Sequence, residues 1–197
     1  MKKIIVVTGG AGFIGSNLIK YLIIKTNYNI ISIDNYSTGK RKNHVKSKRV
    51  KYIKCENKNI STSLNGFKKR ILTIFHFGEF SRIFMSFKLI NQCYNSNMLG
   101  TFNVVKFCSE NNIRIIYSAS SSKFGNDGKD EHLSPYSWSK SKNIEFIKNF
   151  SKWYNLKYEI LYFYNVYGNN HIKNNKMAAV IGIFESQFQK KKTLNSS

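Results

Sequence analysis

An α/β fold is predicted, a parallel sheet with helices on both faces, and three observations predict it. Short, unbroken apolar runs rich in Ile and Val recur along the 197 residues, as in "IIVV", "NIISI", "ILTIF" and "IRII". Amphipathic stretches separate these runs. A glycine-rich turn, "TGGAGFIG", joins the first run to the first amphipathic stretch. Strands buried on both faces read as continuous apolar runs, and parallel neighbours need a crossover connection, normally a helix.

The elements follow in order. A buried strand is expected at residues 3–9, then a helix in "GFIGSNLIKYLIIKT" with apolar residues at 13, 14, 18, 19, 22 and 23, close to the helical period. Strands follow at 29–34 and 50–55, with a basic loop between them. A weakly patterned helix at 61–70 leads to a strand at 71–77. A long helical region spans 86–111, followed by a strand at 113–120, a helix from 135 to about 155 and a strand at 157–166. The last helix is "KMAAVIGIFESQFQK". There is no internal repeat.

Composition narrows the function classes. Nothing approaches the run of about 18 apolar residues that a membrane-spanning helix needs. The N-terminal "MKKIIVV" breaks at Thr8-Gly9-Gly10, too soon for a secretory signal. Cys55, Cys93 and Cys108 are scattered and odd in number, with no CxxC. That pattern fits a reducing cytoplasmic setting and offers neither a disulfide framework nor a zinc site. His44, His76, His132 and His171 have no metal-ligand spacing, so no metal is expected. The formal charge is +22, from 32 basic and 10 acidic residues. Lysine, asparagine and isoleucine are abundant along the whole chain, which reads as compositional drift and not as a specific nucleic-acid surface. "GKRKNHVKSKR" at 39–49 is the one local concentration, and such a charge promotes nonspecific polyanion binding.

The glycine turn points to a ligand. Gly9, Gly12 and Gly15 lie between the first strand and the first helix, where glycines permit a tight turn and close approach to a pyrophosphate. The second strand ends in Asp34, about 20 residues on, where a carboxylate can accept the adenosine ribose hydroxyls. Together these predict dinucleotide binding. Asp34 would repel a 2′-phosphate, which favours NAD, while Lys40 and Arg41 keep NADP open.

Five further segments, in order, complete a family pattern. "TGGAGFIG" with "DNYSTG", "IFHFGEFSRI", "NMLGT", "YSASSSKFG", "YSWSK" and "YFYNVYG" together resemble the extended short-chain dehydrogenase/reductase family of NAD-dependent nucleotide-sugar epimerases and dehydratases. The resemblance covers essentially the whole chain. It implies a Rossmann-type doubly wound sheet over residues 1–168, carrying NAD and the catalytic residues. Residues 169–197 would begin a small C-terminal substrate lobe. Phe13 and Ile14 would lie against the pyrophosphate, Asp34 and Asn35 at the adenosine ribose, and Glu56 and Asn57 near adenine. Phe77, Gly78 and Asn97 would line the middle of the cofactor, and Tyr164 its nicotinamide side. Glu56 stands where the family usually has Asp. Ser81 replaces a lysine that some 4-epimerases use on the cofactor.

The chemistry would rest on "SPYSWSK". Hydride leaves a sugar alcohol only as its hydroxyl proton is taken up. A phenol is a poor base at neutral pH, and a nearby ammonium favours its phenolate form. Ser134 can cap a helix and Pro135 suits its first turn, so Tyr136 and Lys140 share one face. By the resemblance, Lys140 also bonds the nicotinamide ribose and Ser120 holds the reacting oxygen, with Ser118, Ser121 and Ser122 set aside. Dehydratases of the family carry Asp-Glu after the catalytic Ser or Thr, where this chain has Ser121 and Ser122. UDP-hexose 4-epimerisation through a transient 4-keto sugar is therefore favoured, as in UDP-glucose 4-epimerases. A 4-keto-sugar reductase, a dehydratase relative or a noncatalytic NAD-binding module remains open. Asn165 matches a residue that bonds the nucleotide-sugar phosphates. Family members continue beyond "KKKTLNSS", so the chain reads as C-terminally truncated, with NAD binding expected to survive and efficient epimerisation expected to be impaired. A homodimer through the helices near 86–111 and 135–155 is expected by the same resemblance.

Overall fold

The computed structural model describes residues 2–173, 178 and 180–189. Six strands form one parallel sheet: β1 (Ile4–Thr8), β2 (Asn29–Asp34), β3 (Val50–Lys54), β4 (Ile71–His76), β5 (Arg114–Ser120) and β6 (Tyr158–Phe163). Their spatial order is β3-β2-β1-β4-β5-β6, so the winding reverses between β1 and β4. In such sheets a ligand crevice opens at the carboxyl ends of the strands beside that reversal.

The two faces follow from alternation along the strands. Ile5, Val7 and Ile30 pack with Ile19 and Leu22 of α1 (Phe13–Lys25) on one face. On the other, Ile4, Val6, Ile31, Ile33, Ile74 and Ile115 meet two further helices. Val104, Val105 and Phe107 come from α5 (Gly100–Glu110), and Ile144 and Ile147 from α6 (Pro135–Tyr154). Every residue of β1 is buried, as its unbroken apolar run requires.

Register brings the chemistry to one edge. Thr8 pairs with Ile33 and His76, His76 with Tyr117, and Ser120 with Phe163. The ends of β1, β2, β4 and β5 thus present Thr8, Asp34, His76 and Ser120 around the reversal.

Several boundaries differ from expectation. The region expected as one helix at 86–111 begins earlier and is segmented into α3 (Ile83–Lys88), α4 (Ile90–Tyr94), a π-helical turn (Asn95–Leu99) and α5. Leu89 (φ −118°, ψ 43°) breaks the first join. The weak helix at 61–70 becomes α2 (Ile60–Leu64) followed by 3₁₀ geometry over Asn65–Arg70, a tighter form common at helix ends. β6 stops at Phe163, before residue 166. The last helix, α7, is Val180–Gln189; its expected start at 176, 177 and 179 and its end at 190 lie outside the described residues.

Candidate active site

The glycine turn is shaped for backbone approach. Gly9 has φ +68°, and a Cβ there would stand 2.8 Å from the Gly78 Cα at the end of β4. A Cβ on Gly15 would collide with the Gly9 carbonyl, so the start of α1 is seated directly on the turn. Gly12 is the N-cap of α1, no side chain caps it, and its first turn carries no acidic residue. That leaves a helix N-terminus suited to an anionic phosphate. These features fit a dinucleotide pyrophosphate.

Asp34 closes β2. Its Oδ2 accepts the Ala11 N–H at 2.9 Å and its Oδ1 the Tyr36 N–H at 2.7 Å, and it is buried. Burial pushes its carboxyl up from the ordinary range, opposed by those two N–H groups and by His44. Asn35 folds into a local turn by accepting the Ser37 N–H at 3.0 Å. Asn57 donates from Nδ2 to the Gly78 carbonyl at 2.5 Å, tying the segment after β3 to the Phe77-Gly78 segment after β4. Glu56 is not brought in; its exposed carboxylate pairs with Lys58 at 2.8 Å. Phe13 meets the His171 ring edge-on at 5.9 Å, and Ile14 is half-buried beside it.

The π-helical turn presents Asn97 inward, consistent with the frequent placement of such turns at functional sites. Asn97 is fully buried. It accepts the Phe80 N–H at 2.7 Å and donates to the Phe80 carbonyl at 3.2 Å and to Ser139 Oγ at 3.0 Å. It therefore braces the segment after β4 against α6.

α6 begins as expected. Ser134 Oγ accepts the Ser137 N–H at 3.0 Å, Pro135 occupies the first turn, and the Tyr136 N–H reaches Ser86 Oγ at 3.3 Å. Tyr136 is half-buried, and Lys140, one turn on, is buried. Ser120 is buried at the end of β5, where its Oγ accepts the Ser122 N–H at 3.2 Å and lies 2.9 Å from Ser122 Oγ. Tyr164 and Asn165, just past β6, are exposed.

The principal residue that sequence reading missed is Glu79. Its carboxylate is an ion-pair partner of Lys140, with side-chain exposures of 1% and 7% respectively. Glu79 Oε1 also accepts Thr101 Oγ1 (2.7 Å), Asn143 Nδ2 (3.0 Å) and the Tyr117 hydroxyl (3.1 Å). Lys140 Nζ donates further to the Ser118 carbonyl at 2.5 Å and lies 5.0 Å from the Tyr117 ring centroid. Ser118, set aside on sequence grounds, thus helps to hold the lysine. The signal was present: a rare acidic residue interrupting an apolar strand end in a chain with few acids.

The protons around Glu79 can be assigned. Thr101 gives its hydroxyl proton to Glu79, so it accepts from His76 Nε2 at 2.9 Å. His76 Nδ1 then accepts from the Thr8 hydroxyl at 2.8 Å, and Thr8 Oγ1 accepts the Phe77 and Gly78 N–H groups at 3.1 and 3.0 Å. Complete burial lowers the His76 imidazole to about 4, so it is neutral in this chain of bonds. The wall of the crevice is linked through Thr8, His76 and Thr101 to the Glu79–Lys140 pair.

Known proteins share this fold. The model of the NAD dependent epimerase/dehydratase family matches residues 5–196. A putative UDP-glucose 4-epimerase of Methanocaldococcus jannaschii is 34% identical over 194 residues, covering 91% of this chain and 61% of the relative. A UDP-glucose 4-epimerase of Thermotoga maritima, solved with UDP-glucose, superposes with a TM-score of 0.86 at 25% identity, covering 96% of this chain and 64% of that one. A UDP-N-acetylglucosamine 4-epimerase of Methanobrevibacter ruminantium, in complex with UDP-N-acetylmuramic acid, gives 0.86 at 29%, covering 98% and 65%. The chain spans less than two thirds of the length of each.

Proposed function

The chain belongs to the NAD-dependent epimerase/dehydratase family, and on that basis we propose that it carries the NAD site and proton-transfer residues of a UDP-hexose 4-epimerase. The observation that carries this reading is that the glycine turn, Asp34 and Ser120 lie at the carboxyl ends of β1, β2 and β5, while Lys140, one turn after Tyr136 on α6, is bonded to Ser118 of β5 and to Glu79. Residues 1–168 are the dinucleotide-binding domain, and 169–197 begin the substrate-facing lobe. In support of that junction, Asn17 Nδ2 donates to the Asn169 carbonyl at 2.7 Å, so the turn after β6 packs on the start of α1.

Gly9, Gly12, Phe13, Ile14 and Gly15 hold the pyrophosphate, with Asp34 and Asn35 at the adenosine ribose. Asn57, Phe77, Gly78, Asn97 and Tyr164 flank the remaining length, and Glu56 is left at the rim. NAD held by these residues would supply the hydride acceptor and donor for the sugar C4. Tyr136 takes the C4 hydroxyl proton and later gives it back. Lys140 supplies positive charge on the same helix face and an N–H for the nicotinamide ribose, while Ser120 donates to the reacting oxygen. Asn165 lies on the path to the nucleotide phosphates. Ser121 and Ser122 offer no acid–base pair for removing water, which supports epimerisation over dehydration.

The helical face favours a homodimer. Phe84, Phe87, Ile90 and Tyr94 of α3 and α4, and Trp138 and Trp153 of α6, are 39–70% exposed, an apolar surface beyond scattered single residues.

The test is calorimetric titration of the purified chain with NAD, followed by incubation with UDP-glucose and separation of the products. NAD binding with formation of UDP-galactose is expected. NAD binding with no sugar turnover would leave a noncatalytic NAD-binding module, and no NAD binding would overturn the assignment.

A further inference from the structure

Glu79, just past the end of β4, is a buried carboxylate whose only ionic partner among the described residues is Lys140. Its setting is unusual for a group kept merely for packing. An ion pair taken out of water returns little net stability against an apolar pair of similar volume, so its retention calls for a reason beyond adhesion. Here all three donors other than lysine converge on Oε1, and Oε2 is left to the ammonium. The carboxylate is oriented for Lys140.

We propose that Glu79 is a positioning residue for the Tyr136–Lys140 pair: its carboxylate fixes the Lys140 ammonium, keeps it charged in a dry site, and couples it to the cofactor wall through Thr101, His76 and Thr8. The inference rests on the reading of Tyr136 and Lys140 given above. An ammonium has three donors. One goes to Glu79 and one to the Ser118 carbonyl, while the third has only a long approach of 3.4 Å to Ser118 Oγ. That third N–H is the one left for a ribose hydroxyl.

The groups facing the pair explain why the carboxylate matters. They are His76 from β4, Cys93 from α4, Tyr117 from β5 and Tyr136 from α6, with Arg82 before α3 facing Tyr136. Burial lowers His76 to about 4 and raises the Cys93 thiol and the Tyr117 phenol, so these three are uncharged at neutral pH. Glu79 then faces the Lys140 ammonium as its counter-charge.

The experiment is competitive acetylation with acetic anhydride as a function of pH, read residue by residue by peptide mass spectrometry, since only the free amine reacts. In Glu79→Gln the Lys140 labelling curve should move to lower pH by about one unit or more, a roughly tenfold rise in labelling at a fixed pH below the plateau. Exposed Lys148 and Lys152 on the same helix should keep their curves. Glu79→Asp, which keeps the charge but withdraws it by one methylene, should fall between parent and Gln; it carries the test alone if the Gln chain does not melt cooperatively. An unmoved Lys140 curve, or labelling raised equally at every pH as simple opening would give, overturns the proposal. The measurement involves neither NAD nor sugar, so its failure and a failure of the 4-epimerase reading are told apart.

Discussion

His76 is held between two threonines, its ring wholly buried, and neutral. Because its folded value of about 4 lies below the ordinary 6.5, the unfolded chain takes up a proton that the folded chain refuses as pH falls from 6.5 toward 4. Stability is fully present above 6.5 and is lost across that window, by about 3 kcal/mol from this group alone. Denaturant midpoints measured across the window should fall, and a His76→Gln chain should show a flatter profile. An equally steep profile in that variant would remove His76 as the cause. At this scale the sequence made placement legible where a motif fixes spacing: Gly9 in the first turn, Asp34 at the end of β2, and Tyr136 and Lys140 one turn apart on α6. Glu79 gave a signal as a rare acid at a strand end, but its meeting with Thr101 and Asn143 was not legible, because β4, α5 and α6 are brought together only in space. The exposed place of Glu56 was equally hidden, since its partner Lys58 is a local choice between side chains.

Among the elements, α6 and the glycine turn bear most on the site. Ser134 caps α6 as its spacing from Pro135 suggests, so Ser134→Ala should lower stability by about 1 kcal/mol, read in denaturant melts. The same change should loosen the helix end that carries Tyr136. Gly15→Ala drives a methyl into the Gly9 carbonyl, and we expect a loss of about 1–3 kcal/mol together with weakened NAD binding. Retained affinity in that variant would mean that the turn is not the pyrophosphate site. The segmentation of the 86–111 region could not be read from periodicity. Apolar residues recur smoothly across it, and the π-helical turn is set by burial of Asn97 against Phe80 and Ser139, contacts distant in sequence. The central strands were read closely because burial on both faces leaves nearly unbroken apolar runs, as in β1 and β2. β6, at the sheet edge and only partly buried, was the one most overextended.

The whole molecule follows from strand order. The reversal falls between β1 and β4, and the carboxyl ends of the strands beside it carry the glycine turn, Asp34, His76 and Ser120. The apolar face of α3, α4 and α6 should pair two copies; sedimentation should give a dimer, and Tyr94→Arg, on that half-exposed surface, should give a monomer. A parent chain that sediments as a monomer would contradict this. The central claim is that the two ends of the crevice form one redox site. The most direct measurement is the absorbance of reduced nicotinamide when a UDP-hexose is added to the NAD-loaded chain, compared with Tyr136→Phe. A sugar-dependent signal in the parent and none in the variant, with NAD affinity unchanged, is the predicted result. A signal equal in both chains, or none in the parent, would contradict it.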